Sequence, residues 1–254
     1  NDPNDPTADP SNNDSNKGLV NTQYQVYETL VEKMKSINDK KYQTMSDSRI
    51  GMIVIWNDIK EEMRDEFVQW HSIEHLPERV SIPGFISGQR WYGEHASPQY
   101  LTTYVTQNTG VLTSDAYIQR LNDPTPWTLK TVAAFRNTCR AAGEVIWEYG
   151  SKKGYGGHIL AIRITELEDL TILTEHLNSL ASNAMHGVTG LLRARLVLTA
   201  TKASQLPTAE RAVRTGDQNE PYMVLLLESF SGEAPLRHAF SKITAHIPKL
   251  MHSS

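Results

Sequence analysis

The same order of strand-like and helix-like segments occurs twice in this chain, and this recurrence constrains the fold more than any other feature. Runs of β-branched and apolar residues predict strands, and apolar residues at three- and four-residue steps predict helices. The first copy reads β-α-β-β-α-β, with strands at 50–56, 84–93, 99–107 and 140–150 and helices at 60–76 and 115–121. After the glycine-rich joint 150–157 the second copy reads β-α-β-β-α, with strands at 158–165, 187–200 and 221–230 and helices at 168–185 and 234–247. The order is that of the ferredoxin-like split βαβ unit, and the second copy lacks an obvious last strand.

A sheet of this kind has one face covered by its own helices and one face bare. A large apolar face needs a partner, and two copies in one chain can cover each other's bare faces. The sequence therefore predicts an α+β fold in which two ferredoxin-like repeats pack sheet to sheet, with a pocket between the sheets. We assign residues 45–150 to the first repeat and residues 151–254 to a second, degenerate repeat, and we expect a polar loop at 201–219.

Residues 1–44 differ in composition from the rest of the chain. The stretch 1–16 is rich in Asn, Asp and Pro and has no apolar face to bury, which predicts disorder. An amphipathic helix is predicted across 19–37, and Met45 resembles a natural start. We expect an accessory arm or an appended segment of artificial origin; the alternative is a native extension whose helix packs on the body or on a partner.

Charge and composition exclude several classes of function. The 254 residues carry a net charge of −4, which gives no electrostatic basis for binding nucleic acid or an anionic membrane. The longest apolar runs have the length of strands, whereas a transmembrane helix needs about 20 apolar residues. The single cysteine, Cys139, excludes an internal disulfide and favours a reducing compartment, so a cytoplasmic location is expected.

The motif with the clearest chemistry is "QWHSIEHLPERVSIPGF" at 69–85, where His71 and His75 are four residues apart. Two histidines at this spacing on a helix can bind zinc, but such sites need a third ligand on a following helix. Pro77 is predicted to end the helix, so no metal site is expected. The alternative is acid/base catalysis by His75 at the mouth of a cavity, with His71 or Glu74 orienting it. A surface position for His71 stays open.

The second strand and the third strand supply candidate substrate-binding residues. Arg90 and Tyr92 lie on one side of their strand and Trp91 on the other. Arginine offers a fork for a carboxylate or phenolate, and the hydroxyl of Tyr104 could help to stabilise an enolate-like charge. The alternatives are a structural ion pair between Arg90 and Glu94 and a place in the core for Trp91.

The stretches 70–92 and 99–104 resemble the EthD-like group of the dimeric α+β barrel superfamily. That group has a similar His-Leu-Pro at the end of its first helix, a Pro-Gly before the second strand and a Tyr-Leu-x-x-Tyr in the third. The match covers 50–150, and the second copy is similar only in its element order. The resemblance implies a barrel of two ferredoxin-like halves around a ligand cavity. The superfamily includes lactone isomerases, polyketide cyclases, decarboxylases, haem proteins and cofactor-free oxygenases, so its fold does not fix the chemistry.

These observations predict a cofactor-independent lyase or isomerase that acts on a small intermediate of aromatic compound catabolism. The intermediate is cyclic or aromatic, and an acidic group on it is allowed. His75 would be the acid or base, and a homodimer is allowed. The alternative is a non-catalytic accessory protein that binds a small molecule or haem, with a histidine as axial ligand.

Overall fold

The computed structural model describes residues 49–165, 170–183, 185–214 and 220–245. The predicted arm 1–44 and the predicted end of the last helix lie outside these residues. Within the described part of the chain, no helix is both long and apolar enough to cross a membrane.

Seven strands form one antiparallel sheet in the order β2-β3-β1-β4-β6-β7-β5. The strands are β1 Gly51–Ile59, β2 Phe85–Tyr92, β3 Tyr100–Thr106, β4 Phe135–Gly150, β5 His158–Ile164, β6 Leu191–Thr199 and β7 Met223–Ser229. The first four strands have the neighbours that a ferredoxin-like unit requires. The predicted α+β class is confirmed, whereas the internal duplication stays a prediction.

The longer helical segments lie where the apolar periodicity predicts them. The α-helices are α1 Arg64–Trp70, α2 Leu76–Val80, α3 Asp115–Asn122, α4 Pro126–Val132, α5 Leu170–Asn183, α6 Thr201–Ser204, α7 Ala209–Ala212 and α8 Ala234–Thr244. A π-helical turn at His71–His75 joins α1 to α2, and 3-10 turns occur at Glu61–Met63, Thr109–Thr113 and Met185–Gly187. Ser114 is the N-cap of α3, and its side chain accepts a hydrogen bond from the Tyr117 amide. Helices α6 and α7 lie where the sequence predicts only a polar loop.

The long strand β4 joins the two halves of the sheet. Residues 135–144 pair with β1, and residues 143–150 pair with β6. Gly143 lies where these two pairings meet, and a Cβ atom there would overlap the carbonyl oxygen of Leu198 on β6. This close approach requires a residue without a side chain.

The sheet is curled, because two strands that are far apart in its order come into contact. Arg163 of β5 lies 5.8 Å from the ring centre of Trp56 on β1, although three strands separate β5 from β1. One apolar cluster draws on side chains from all seven strands. Its buried members are Met52, Val54, Trp56, Leu101, Cys139, Ala141, Val145, Val197, Val224 and Leu226, and the partly buried Trp91, Ile159 and Ala161 pack against them. These residues fill the concave side of the curled sheet, since alternate residues of each strand point there.

Candidate acid/base site

The helix that carries the two histidines continues past Pro77, so the prediction that this proline ends it is wrong. The chain stays helical to Val80, and Pro77 lies in the first turn of α2. A proline in a regular helix clashes with the carbonyl group four residues earlier. The π-helical turn at 71–75 ends two residues before Pro77, so the residue four positions before the proline lies in this turn and not in a regular helix.

The π turn also changes which side chains face the sheet. Phe67 and Trp70 are fully buried, as the apolar periodicity predicts, but Ile73 is 68% exposed. In a regular helix residue 74 would follow residue 70 on the inner face. The extra residue in the π turn puts His75 there instead, and His71 and His75 are both buried.

These histidines border a cavity between the helices and the convex side of the sheet. The cavity consists of two adjoining pockets that share Ile55, His75, Tyr104 and Arg214. The larger pocket has an empty volume of about 470 Å³, including its open mouth. The predicted location between the sheets is therefore wrong for these residues, because the apolar cluster described above fills the concave side.

His75 packs against Trp70, with ring centroids 4.3 Å apart. Its Nδ1 atom is buried and has no hydrogen-bond partner among the described residues. Burial lowers the pKa of His75 well below its usual value, and the positive charges of Arg79 and other neighbours add to this effect. The imidazole is therefore neutral at physiological pH.

His71 is buried beside His75, with ring centroids 5.5 Å apart. Its Nε2 atom lies 3.4 Å from the hydroxyl of Thr102, and its Nδ1 atom has no partner among the described residues. Burial, together with Arg90 and Arg79, lowers the pKa of His71 to about 3. A surface position for His71 is excluded.

Tyr104 reaches the same cavity from β3. The side chain is 2% exposed, and its hydroxyl has no hydrogen-bond partner among the described residues. Burial raises the pKa of Tyr104 above its usual value. The hydroxyl therefore keeps its proton and is available as a donor.

Glu74 links the π turn to α4. Its Oε1 atom accepts hydrogen bonds from the hydroxyls of Thr125 at 2.6 Å and Thr128 at 3.2 Å. The indole N–H of Trp70 also donates to the hydroxyl of Thr128, at 3.2 Å. Glu74 thus positions the helix, and its contacts do not support the predicted role of orienting His75.

The predicted residues of β2 lie outside the lining of both pockets. Arg90 donates to the carbonyl oxygen of Val68 at 3.2 Å and to the hydroxyl of Ser72 at 3.1 Å, which ties the helix to the sheet edge. Tyr92 is 52% exposed, and Trp91 packs against the cluster on the concave side. Of the seven candidates, the structure brings His71, His75 and Tyr104 to one cavity.

Charged residues that sequence reasoning missed also border the cavity. Arg79 of α2 forms a buried ion pair with Glu210 of α7, and Arg140 and Arg214 lie nearby. Arg79 and Glu210 are 131 residues apart, so no local pattern could connect them. The only sequence signal was the run of charges at 209–214 inside the predicted loop. In the part of the chain described here, no group of three His, Cys, Asp or Glu residues could hold a metal ion.

Comparisons with known proteins give fold-level similarity alone. No family model matches the chain, and no curated protein matches it. Similar solved structures include a protein proposed to be a monooxygenase from Fusobacterium nucleatum subsp. nucleatum ATCC 25586, with 10% identity, coverage of 81% of this chain and 88% of the other, and a TM-score of 0.49. A protein of the same description from Lactobacillus acidophilus NCFM has 9% identity, coverage of 78% and 88%, and a TM-score of 0.48. A mutant chlorite dismutase from Candidatus Nitrospira defluvii has 7% identity, coverage of 84% and 90%, and a TM-score of 0.48.

These neighbours are at most 10% identical to this chain. With TM-scores below 0.5, they carry no argument about this chain. Membership in the EthD-like group therefore stays a prediction, and the site is interpreted from its own residues.

Proposed function

We propose that this protein is a cofactor-independent lyase or isomerase in which His75 takes a proton from a small cyclic or aromatic substrate. One observation carries the proposal: the Nδ1 atom of His75 and the hydroxyl of Tyr104 are buried on the same cavity, and neither has a partner among the described residues. Nearly all buried polar groups in proteins form hydrogen bonds. A substrate that supplies the missing partners accounts for both groups.

The neutral form of His75 and the protonated form of Tyr104 are the forms needed to remove a proton next to a carbonyl group. Neutral His75 accepts the proton, and the electron pair of the broken bond moves to the carbonyl oxygen of the substrate. Protonated Tyr104 donates a hydrogen bond to that oxygen as negative charge develops on it. Return of the proton to another carbon completes an isomerisation, and expulsion of a leaving group completes an elimination.

The apolar walls of the cavity favour a ring. Ile53, Ile55 and Leu121 line the larger pocket, and Trp70 lines the smaller one. Binding sites for small molecules are commonly apolar with a few polar groups at fixed positions. A homodimer, a cytoplasmic location and the haem-binding alternative stay predictions.

The test is hydrogen–deuterium exchange at carbon, measured by NMR on a panel of cyclic and aryl ketones in D2O. The wild-type protein should accelerate exchange of the protons next to the carbonyl group. His75→Gln should slow the catalysed exchange by roughly 10²–10⁴-fold, and Tyr104→Phe by roughly 10²–10³-fold. The control His95→Gln changes an exposed histidine outside both pockets and should retain full exchange. Full exchange by a folded His75→Gln variant contradicts the proposal.

A further inference from the structure

The larger pocket contains more buried positive charge than buried negative charge. Its lining includes Arg79, Arg140 and Arg214, whose side chains are at most 9% exposed, and one buried carboxylate, that of Glu210. Arginine does not lose its proton in proteins, so each guanidinium stays charged inside the cavity.

Arg79 is the arginine of this group that has close carboxylate partners. It pairs with Glu210 and, at 3.2 Å, with Glu78. Glu78 also pairs with Arg120 at 3.1 Å, so its charge is shared. Glu210 reaches Arg214 only at 3.9 Å, through its second oxygen. The lining of the larger pocket thus contains one buried carboxylate and three buried arginines.

Arg140 and Arg214 have no close carboxylate partner among the described residues. Arg140 donates to the carbonyl oxygens of Ala203 at 3.1 Å and Ser204 at 3.0 Å and to the hydroxyl of Tyr117 at 3.4 Å, and none of the ion pairs among the described residues includes it. The Nε atom of Arg214 is buried and has no hydrogen-bond acceptor among the described residues. Burying a charge without a partner is unfavourable, so an anion in the cavity would stabilise both side chains.

We propose that Arg140 and Arg214 form a subsite for a carboxylate group of the ligand. The planar guanidinium fork matches a carboxylate, and charge-assisted hydrogen bonds of this kind are strong. The proposed subsite replaces Arg90, whose guanidinium binds the helix instead. If the proposed function holds, on which this step rests, the substrate is a small cyclic or aromatic acid, with its carboxylate at the arginines and its reacting carbon at His75.

The proposed subsite lies at the junction of the two halves of the chain. Arg140 comes from β4, and Arg214 follows α7 of the second half. The second half thus supplies Arg214 of the proposed subsite, while the first half supplies Arg140, His75 and Tyr104.

The experiment compares the binding of benzoate with that of benzamide, which has the same shape without the charge. Tryptophan fluorescence can follow binding because Trp70 lines the cavity, and titration calorimetry provides the dissociation constants. Benzoate should bind and benzamide should bind at least about tenfold more weakly. Arg214→Gln should weaken benzoate binding by roughly 10–150-fold, the equivalent of losing one charged hydrogen bond. Its effect on benzamide should be small.

Arg237→Gln is the control, because it removes an exposed arginine outside both pockets; it should leave benzoate affinity unchanged. Arg214→Lys keeps the charge without the fork and should give an intermediate affinity. Arg140→Gln is a second variant, to be compared if circular dichroism shows that it is folded. Equal affinities for benzoate and benzamide, no binding of either, or an unchanged benzoate affinity in Arg214→Gln would overturn the subsite. Binding of inorganic phosphate without benzoate would overturn the assignment to a carboxylate.

The same assay separates this inference from the proposed function. His75→Gln should bind benzoate like the wild type while losing carbon exchange. Loss of charge selectivity with exchange retained would reject the subsite alone. Charge selectivity with no exchange in the wild type would reject the catalytic proposal alone.

Discussion

The buried ion pair between Arg79 and Glu210 should be a main determinant of stability. The two residues are 3% and 2% exposed, and they connect α2 to α7. Glu210→Gln keeps the size of the side chain but leaves a buried guanidinium with less negative charge around it. Removing one member of a buried ion pair costs about 3–5 kcal/mol. Because Glu78 still faces Arg79 at 3.2 Å, we expect the lower end of this range, about 3 kcal/mol.

A loss of this size is easily measured. In a protein of 150–250 residues each kcal/mol corresponds to about 2–4 °C, so the melting temperature should fall by roughly 6–12 °C. Thermal and urea unfolding followed by circular dichroism provide the two values. The matched control is Glu233→Gln, which breaks the ion pair with Arg237 at 2.8 Å, in which both side chains are more than two-thirds exposed. Pairs of that kind contribute little, so its melting temperature should barely change. Equal effects of the two substitutions would refute the argument, because the difference rests on burial alone.

Two further predictions concern the sheet and the histidines. Gly143→Ala should lower the free energy of unfolding by about 3 kcal/mol, because its Cβ atom would overlap the backbone of Leu198. The control Gly157→Ala has open space around the new Cβ atom and should change this free energy little. Similar urea midpoints for the two variants would contradict the close pairing of β4 with β6. The depressed pKa of His71, about 3, means that the unfolded chain binds a proton on this residue below about pH 6.5 while the folded chain does not. Stability from this residue is therefore complete above about pH 6.5 and falls by about 1.4 kcal/mol per pH unit down to about pH 3. Urea unfolding across this range should give a shallower pH dependence for His71→Gln than for the wild type, and identical slopes would show that His71 is not buried as a neutral group.

The strands and most helices could be predicted because their signals are local. The β-branched and apolar runs of β1 and β3 depend only on neighbouring residues, and the cap at Ser114 is set by residues within one turn. The same reasoning failed at Ile73, which fits a regular helical period and is nevertheless exposed. Residue types alone do not reveal that the helix contains a π turn, so both the continuation past Pro77 and the inward position of the histidines had to come from the structure.

The candidate site was predicted only in part, because its other members come from distant parts of the chain. His75 and Tyr104 were found through chemistry and motif, within the first repeat. Arg214 and Glu210 belong to a stretch without periodicity that folds back onto that repeat. Which side of the sheet holds the cavity is also a long-range property, since it depends on the side chains that all seven strands contribute to the concave cluster.

The π turn at His71–His75 has a consequence for comparing this chain with others. A π turn contains one residue more than the α-helical turn it replaces, while the flanking helices keep their faces. A homologous chain with an ordinary helix here would be one residue shorter between Trp70 and Pro77 and could still present a histidine to the cavity. Its histidine would follow the tryptophan by four positions instead of five. An alignment without a gap in this segment would place Glu74, not His75, opposite that histidine.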